Sequence, residues 1–379
     1  MRINLCIVYL ICVLLLLSCQ TNFDGAKTKK ISDDSFPIPQ IDFSPKNYIC
    51  YMTSGTINID GKLDKRCWSL APWTDCFIDI EGNNKSKPRF KTRAKMLWDS
   101  SCFYIAAEME EPHVWGKLQK RDAVIYHDND FEVFIDPDGD THEYYELEVN
   151  ALNTQWDLLI NKPYRDGGPA INAWDIQGLK TAVYIDGTIN NPGDIDRGWS
   201  IEIAIPWNVL KQCAHRPAPP KNGDIWRVNF SRVEWQTFID DGQYIKQTDS
   251  AIGKILPEDN WVWSPQGLIA MHYPEMWGYV QFSNTVVGDG EDVFIDPKNA
   301  SARWFLRKLY YAEQTHRMQY GHFTIDLSSL NLDVTAIEGY IWPPDVSISE
   351  TQFEVILKSS GQNSNLHITQ DGRIWSSEN

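Results

Sequence analysis

The stretch from His127 to Asp140, HDNDFEVFIDPDGD, brings carboxylates and a strand pattern together. Its side chains alternate in chemistry, as in a β-strand with one buried face. The apolar side carries Phe131, Val133 and Ile135. The opposite side carries Asp130, Glu132 and Phe134. Carboxylates on such a face can accept hydrogen bonds from hydroxylated ligands, bind cations or transfer protons, whereas the apolar side must face a core.

The stretch from Glu143 to Asn150 repeats this alternation. Its apolar side carries Tyr145, Leu147 and Val149. The opposite side carries Tyr144, Glu146, Glu148 and Asn150. If the two strands pair, Glu132 and Glu148 come close enough to act as the two carboxylates of a glycoside hydrolase. The alternative interpretation is that these acids belong to an ordinary solvated sheet face.

The strands that position these acids belong to a series of short apolar runs with turns between them. This pattern predicts an all-β fold, an antiparallel β-sandwich of immunoglobulin or jelly-roll type. We expect one short helix, Pro206 to Gln212, within this region. The expected strands are Thr56 to Asp60, Arg93 to Trp98, Cys102 to Glu108, Asp130 to Ile135, Glu143 to Asn150, Gln155 to Ile160, Leu179 to Ile185, Trp199 to Ile205, Ile225 to Val233 and Trp277 to Phe282.

The character of the chain changes after Ser283. Asp296 and Pro297 resemble the N-cap and first residue of a helix that continues to Tyr320, and alternating stretches follow it. The sequence therefore predicts a sandwich over residues 48–285 and a small α+β appendage over residues 286–379. No function is assigned to the appendage.

Five motifs of the predicted sandwich together resemble the family 9 carbohydrate-binding modules. They are IDGKLDKRCW at 59–68, RAKMLWDSSCFYIAAE at 93–108, EVFID at 132–136, GWSIEIAIPW at 198–207 and WGYVQF at 277–282. The resemblance covers about residues 50 to 283. It implies a non-catalytic β-sandwich in which two aromatic side chains enclose a terminal sugar, while a Glu and other polar residues bond its hydroxyls.

Aligned on EVFID, the resemblance implies that Glu132 is the ligand-bonding Glu and that Tyr126 is the first aromatic wall. Packing within its loop is an equally good interpretation of Tyr126. Asn150 matches a polar position of the family. Glu148 departs from the pattern, because it falls where the best-known members use an Arg to hold the sugar. Arg165, in the loop KPYRDGG, is the candidate for the missing donor, and an ordinary turn is an equally good interpretation of this loop.

The second aromatic wall of the family precedes the last strand, in a loop that corresponds to residues 261–277. The aligned residue is Met271, so a neighbouring ring must take the role. We expect Trp263 to do so, with His272 and Tyr273 as alternatives. Trp174 is a further candidate ring. For each of these Trp residues, packing in the sandwich core is the alternative interpretation.

Three further interpretations concern ions and cofactors. Asp136, Asp138 and Asp140 have the spacing of a calcium loop, although Asp and Gly also form ordinary turns. We therefore expect no required cofactor and consider a structural calcium ion at this loop. Met271 and His272 leave open a non-covalent heme site, the least favoured of the functional alternatives, since no C-x-x-C-H motif is present.

The composition favours a neutral ligand. A net charge of −16 disfavours nucleic acid, whereas 16 Trp and 16 Tyr supply many ring surfaces for sugars.

The body of the chain holds five Cys. Because this number is odd, the sequence does not predict a disulfide framework, although a single bridge from Cys67 to Cys76 is compatible with it.

The first residues predict an export signal. Arg2 precedes an apolar run from Leu5 to Leu17, too short to span a bilayer, and Cys19 follows in a context resembling a lipobox. We expect residues 1–18 to be a lipoprotein signal peptide and residues 19–47 a flexible tether. A plain signal peptide is the alternative. The predicted protein is anchored through Cys19 in the bacterial cell envelope, at the outer membrane, and binds carbohydrate in support of glycosidases that act on the same polysaccharide.

Overall fold

Apolar residues that alternate with polar ones extend most of this chain into strands. The computed structural model describes residues 36–297, 299–332, 336–361 and 364–378. The strands are β1 Asn47–Met52, β2 Ile78–Asp79, β3 Thr92–Trp98, β4 Cys102–Glu110, β5 Asp130–Asp136, β6 Tyr144–Asn150, β7 Gln155–Ile160, β8 Ala170–Ile171, β9 Lys180–Asp186, β10 Gly198–Pro206, β11 Ile225–Glu234, β12 Thr237–Asp240, β13 Gln243–Lys246, β14 Asp259–Val262, β15 Gly278–Val286, β16 Asp345–Ile348, β17 Phe353–Leu357, β18 Asn365–Thr369 and β19 Ile374–Ser377.

Helices are few and short apart from one. The α-helices are α1 Arg66–Leu70, α2 Trp207–Leu210 and α3 Ala300–Tyr320. Single 3₁₀ turns occupy Gly82–Asn84, Ile125–His127, Tyr164–Asp166, Pro274–Met276 and Leu327–Leu330. Within the described ranges, none of the helices combines the length and the apolar character that crossing a bilayer requires.

One large, mostly antiparallel sheet forms the sandwich. Its strands follow the order β8-β7-β6-β5-β11-β15-β1-β3-β4-β10-β9, and β14 joins β11 to β2. The apolar residues of β5, β6 and β11 share one core with those of β3, β4 and β10, so the two halves of the sheet pack against each other. The predicted antiparallel β-sandwich is confirmed.

Strand β1 connects the two halves of the sheet. It pairs in parallel with both β15 and β3. The sequence analysis missed it because its segment, NYICYM, lies between two strands and shows no clear alternation of apolar and polar residues. The expected strand from Thr56 to Asp60 is wrong, since these residues form no ladder in the structure.

Aromatic rings fill much of the sandwich core. Trp98, Trp207, Trp226 and Phe282 contact one another edge to face, with ring centroids 5.3 to 6.1 Å apart. Such pairs contribute about 0.5–1.5 kcal/mol each beyond the burial of their area. All five cysteines of the body are free, so the bridge from Cys67 to Cys76 that the sequence left open does not form.

Helix α3 packs its apolar side on the four-stranded sheet β16–β19. It begins after Asn299, not at the expected Asp296, and ends where Gly321 takes a φ of +83°. Phe36 is also buried here and contacts Tyr310 and Tyr311 of the helix. The tether was expected to reach residue 47, but from Phe36 onward the chain belongs to the packed unit that extends to Asn379.

We predict that stability depends on pH through Glu313 in α3. This side chain is fully buried, and its Oε2 accepts a hydrogen bond from Thr324 N at 3.1 Å. Burial raises its pKa from 4.5 to about 7. Because the folded state holds the proton more tightly than the unfolded state, this contribution is fully present below pH 4.5 and is lost as the pH rises through about 7. Glu313→Gln should therefore be more stable than wild type at pH 8.

Denaturant unfolding of both proteins at pH 5 and pH 8 checks this expectation. The exposed Glu350→Gln is the matched control and should follow the wild type at both values. An equal pH dependence in wild type and Glu313→Gln would show that the carboxyl does not titrate differently in the two states.

Candidate functional site

The candidate site lies on the side of β5 and β6 that faces away from the sandwich core. Register places Glu132 of β5 directly opposite Glu148 of β6, and opposite Ser231 of β11 on its other side. Asp130 and Glu146 occupy the same face two residues along their strands. We call Asp130, Glu132, Glu146 and Glu148 the acid cluster. The predicted pairing and facing of these two strands are confirmed.

The acid cluster is buried, although it lies on the outer face. Glu132 is 6% exposed, and the other three carboxylates are no more accessible. Burial raises the pKa of all four, and neighbouring carboxylates raise it further. The pKa of Glu132 rises to about 7 and that of Glu146 to about 8. A buried carboxyl group with a raised pKa is either protonated and neutral, or ionised and stabilised by a nearby cation.

Two aromatic side chains lie at the edge of the acid cluster, and we call them the ring platform. Tyr126 is 36% exposed, and its ring centroid is 6.5 Å from that of the half-buried Trp156, with a 30° tilt. Trp156 of β7 is the cross-strand partner of Glu148, and Tyr126 N donates to Glu148 Oε2 at 2.9 Å. The ring platform therefore borders the buried acid cluster on the same face of the sheet.

The sequence analysis identified Tyr126 but missed Trp156. The signal was present, because the alternation of Gln155 to Ile160 places Trp156 and Leu158 on the face of Glu148 and Glu146 once β7 pairs with β6. The sequence analysis considered Trp263 and Trp174 as candidate rings and therefore overlooked Trp156 on its strand.

The other end of the same face is apolar. Phe134, Tyr144 and Trp277 form a small cluster, and Met271 packs on it. His272 closes this end: its Nδ1 is 2.9 Å from Tyr144 Oη, and its ring meets that of Tyr164 at 4.3 Å. Burial, and secondly the nearby Arg165, lower the pKa of His272 to about 3, so the imidazole is neutral.

Met271 and His272 therefore serve as packing and hydrogen-bonding groups in this region. The imidazole Nδ1 is engaged by Tyr144, and the Met271 side chain fills the apolar cluster. Neither is presented as a free axial ligand, so the structure does not support the heme interpretation. The exposed Tyr164 beside His272 is the ring that continues the surface on this side.

Two expected aromatic walls lie elsewhere. Trp263 is only 1% exposed and packs in the sandwich core against Phe230 and Tyr48. Its ring fills the space over Gly278, where a Cβ would come within 2.5 Å of it. Trp174 stacks on Tyr145, which points to the core, at 5.0 Å. Core packing, the alternative interpretation, is correct for Trp263, and Trp174 lies on the side of the sheet opposite Glu132.

Two expected polar contacts are occupied by the protein itself. Asn150 is fully buried: its amide donates to Leu118 O and Asp128, and its Oδ1 accepts from two backbone amides. The Arg165 guanidinium donates to His272 O at 3.1 Å and forms an ion pair with Glu275 at 2.8 Å. Neither side chain is available to a ligand, because buried polar groups keep the partners that satisfy them.

The calcium-like loop has a compact arrangement of its own. Carboxylate oxygens of Asp136, Asp138 and Asp140 lie within 4.8 Å of one another. Asp136 accepts hydrogen bonds from the amides of Gly139 and Thr141, and Asp140 forms an ion pair with Arg373 at 2.8 Å. These contacts explain the turn without an ion, and a structural calcium at this loop stays a prediction.

The geometry also bears on hydrolysis. Glu132 and Glu148 are side by side on one sheet face, with oxygens within 4.8 Å. Hydrolysis requires carboxyl groups on two sides of a bound glycosidic bond, with room for the sugar between them. Glu132 and Glu148 extend side by side from one sheet face and not from two sides of a groove, so the geometry gives no support to the glycoside hydrolase interpretation.

One part of the chain matches a known family model. Residues 59–222 match the family model described as "Carbohydrate family 9 binding domain-like". The resemblance predicted from the sequence motifs is confirmed for this part of the chain.

Among the similar proteins are two bacterial enzymes. The chain is 33% identical over 103 residues to endo-1,4-beta-xylanase C of Paenibacillus barcinonensis and 26% identical over 156 residues to exoglucanase XynX of Acetivibrio thermocellus. These matches span 27% and 41% of the chain, but only 9% and 12% of the relatives. A solved family 9 module from Caldicellulosiruptor kristjanssonii in complex with cellotriose has a TM-score of 0.40 and 16% identity, and covers 66% of this chain and 100% of its own.

The different positions of two tryptophans predict different effects of mutation. Trp263→Ala should lower the free energy of unfolding by about 3–5 kcal/mol, because it leaves a large cavity in the core. Trp156→Ala, on the partly exposed face, should cost about 1 kcal/mol or less. Denaturant unfolding at one pH measures both. Equal losses would contradict the assignment of Trp263 to the core and of Trp156 to the surface.

Proposed function

We propose that this protein binds carbohydrate without modifying it. The ring platform of Tyr126 and Trp156 takes the apolar face of a sugar ring, and the adjacent acid cluster fixes its hydroxyls. The observation that carries the proposal is the position of both residues beside Glu148, since Tyr126 N donates to Glu148 Oε2 at 2.9 Å and Trp156 is the cross-strand partner of Glu148. Aromatic faces supply the favourable apolar contact, while carboxylates mainly determine orientation because water competes for every hydroxyl.

The charge of the protein supports a neutral ligand. A net charge of −16 and a site with four carboxylates repel acidic polysaccharides and nucleic acid. The relatives bear the names of an endo-1,4-beta-xylanase and an exoglucanase. We therefore propose neutral gluco- or xylo-oligosaccharides as ligands, and glycosidases that degrade the same polysaccharide as functional partners.

Removal of one ring should weaken binding without unfolding the protein. We expect Trp156→Ala and Tyr126→Ala each to reduce the affinity for the best ligand of a cello- and xylo-oligosaccharide panel at least tenfold, equivalent to about 1.4 kcal/mol. Isothermal titration calorimetry of the full-length protein measures this. Trp174→Ala is the matched control, because Trp174 lies on the opposite side of the sheet, and it should retain wild-type affinity.

Product analysis of the same mixtures separates binding from catalysis. We expect the oligosaccharides to be recovered intact after long incubation. Released shorter sugars that disappear in Glu132→Gln would contradict a purely binding role, and unchanged affinity in both ring variants would contradict the proposed platform.

We further propose that Cys19 carries a lipid that anchors the protein in the bacterial envelope. Cys19 lies outside the described residues, and its lipobox-like context supports the proposal. Expressed in a bacterial host, wild type should incorporate labelled palmitate and partition into detergent, and Cys19→Ala should do neither. Cys67→Ala, which removes a cysteine of the body, is the control and should behave as wild type. Lipid labelling of Cys19→Ala would contradict the anchor.

A further inference from the structure

The acid cluster contains a group of oxygens with the spacing of a metal site. Asp130, Glu132 and Glu148 each offer one carboxylate oxygen, and these atoms all lie within 4.8 Å of one another. Ligands on opposite sides of one calcium ion are about 5 Å apart, because each Ca–O distance is about 2.3–2.6 Å. All three residues are buried on rigid strands. The spacing therefore fits a single ion.

The charges around these oxygens are of one sign. The neighbours that act most strongly on the acid cluster are other carboxylates, including Asp128 beside Asp130 and Glu258 beside Glu132. Buried carboxylates are normally paired with a cation or bind a metal, since an isolated buried charge is costly. Lys246 interacts with the neighbours Asp128 and Glu258, whereas the strongest charges that act on the acid cluster itself are all carboxylates.

Unsatisfied polar atoms provide an independent observation. Among the described residues, Ser231 Oγ is almost fully buried, and it lies near enough to Glu132 to lower the pKa of that carboxyl. Ser231 is the cross-strand partner of Glu132, so its hydroxyl lies on the same face. Asp130 Oδ2 and Glu146 Oε2 are buried without a hydrogen-bond partner in the described ranges. Each such atom destabilises the folded state unless a ligand satisfies it.

We propose that Asp130, Glu132 and Glu148 bind a divalent cation, with Ser231 Oγ and Glu146 as further oxygen donors. All of these donors are oxygens, which favours a hard cation, and the number of donors fits calcium better than zinc or copper. The ion neutralises carboxylates that otherwise repel one another.

This site differs from the calcium-like loop at residues 136–140. In that loop, Asp136 caps backbone amides and Asp140 pairs with Arg373, so its oxygens already have partners of positive character. In the acid cluster, Glu148 accepts a hydrogen bond from Tyr126 N at 2.9 Å and Asp130 Oδ1 accepts a long one from Val233 N at 3.4 Å, but no ion pair is formed with an Arg or Lys among the described residues. Of the two groups of carboxylates, the acid cluster is therefore the one without a positively charged partner among the described residues.

The cation also gives the proposed sugar site a specific chemistry, an inference that depends on the proposed function. Glu148 lies directly beside the ring platform. Neighbouring hydroxyls of a sugar held on Tyr126 and Trp156 would complete the coordination of the ion. A cation would then replace the Arg that the resemblance leads one to expect at the position of Glu148.

Calcium titration of metal-stripped, full-length protein by calorimetry tests the cation site. We expect wild type to bind calcium, and Asp130→Asn and Glu148→Gln each to weaken that binding at least tenfold. Asp138→Asn, in the other loop, is the matched control and should retain the binding at the acid cluster. In the absence of metal, the melting temperatures of both test variants should be no lower than that of wild type, because an amide replaces an uncompensated buried carboxylate.

Two outcomes would overturn the cation site. One is a wild type that binds no calcium in the millimolar range, and the other is calcium binding that Asp130→Asn and Glu148→Gln leave unchanged. Glucosamine oligomers serve as a separate probe. If they bind to the metal-stripped protein and calcium does not, the counter-charge comes from an ammonium group of the ligand, which also overturns the proposal.

Sugar titrations with calcium and with chelator separate this inference from the proposed function. We expect the affinity for the best oligosaccharide to fall at least tenfold in chelator. Equal affinity in both conditions would retain carbohydrate binding and overturn the role of the ion in it. Calcium binding that is lost in Glu148→Gln, together with no affinity for any oligosaccharide, would support the cation site and overturn the proposed function.

Discussion

The two-residue period of β5 and β6 is the constraint on which this structure depends. Phe131, Val133 and Ile135 enter the sandwich core because Asp130 and Glu132 point the other way. A slip of one residue would place carboxylates in the apolar interior and expose the core side chains. The same register that stabilises the sandwich therefore assembles the acid cluster, so stability and the site cannot be separated at these strands.

A second interaction connects the sandwich to helix α3. Glu275 contacts Arg165 at 2.8 Å and Arg307 of the helix at 3.6 Å, and Tyr311 donates to it as well. Burial alone would raise the pKa of Glu275, but these partners lower it to about 2. Removing one member of such a network is costly, since it leaves the others charged and buried. Because Arg165 also holds His272 O, the network fixes the end of the candidate face that His272 closes.

Sequence reasoning succeeded where the alternation of residues within one strand shows which way its side chains point. The alternation around Glu132 and Glu148 gave the facing of both strands, and the order of motifs gave the family resemblance. It failed where partners are distant in the chain. Arg165 meets Glu275 110 residues away, and nothing local indicates that contact. Trp263 and Trp174 sit on irregular segments, where no period shows which way a ring points. Trp156 was predictable, because it lies on a regular strand whose phase follows from β6.

The burial of Phe36 has a mechanical consequence. Its ring packs against Tyr310 and Tyr311, and the neighbouring Pro37 carbonyl accepts a hydrogen bond from Tyr273 at 2.8 Å. Tension applied ahead of this point would be resisted first by the aromatic contact with helix α3 and by the Tyr273 hydrogen bond. Strand β1, the next element along the chain, would bear load only after this contact had yielded, and β5 and β6 are not its direct partners, so the ring platform keeps its shape while the chain in front of it is pulled.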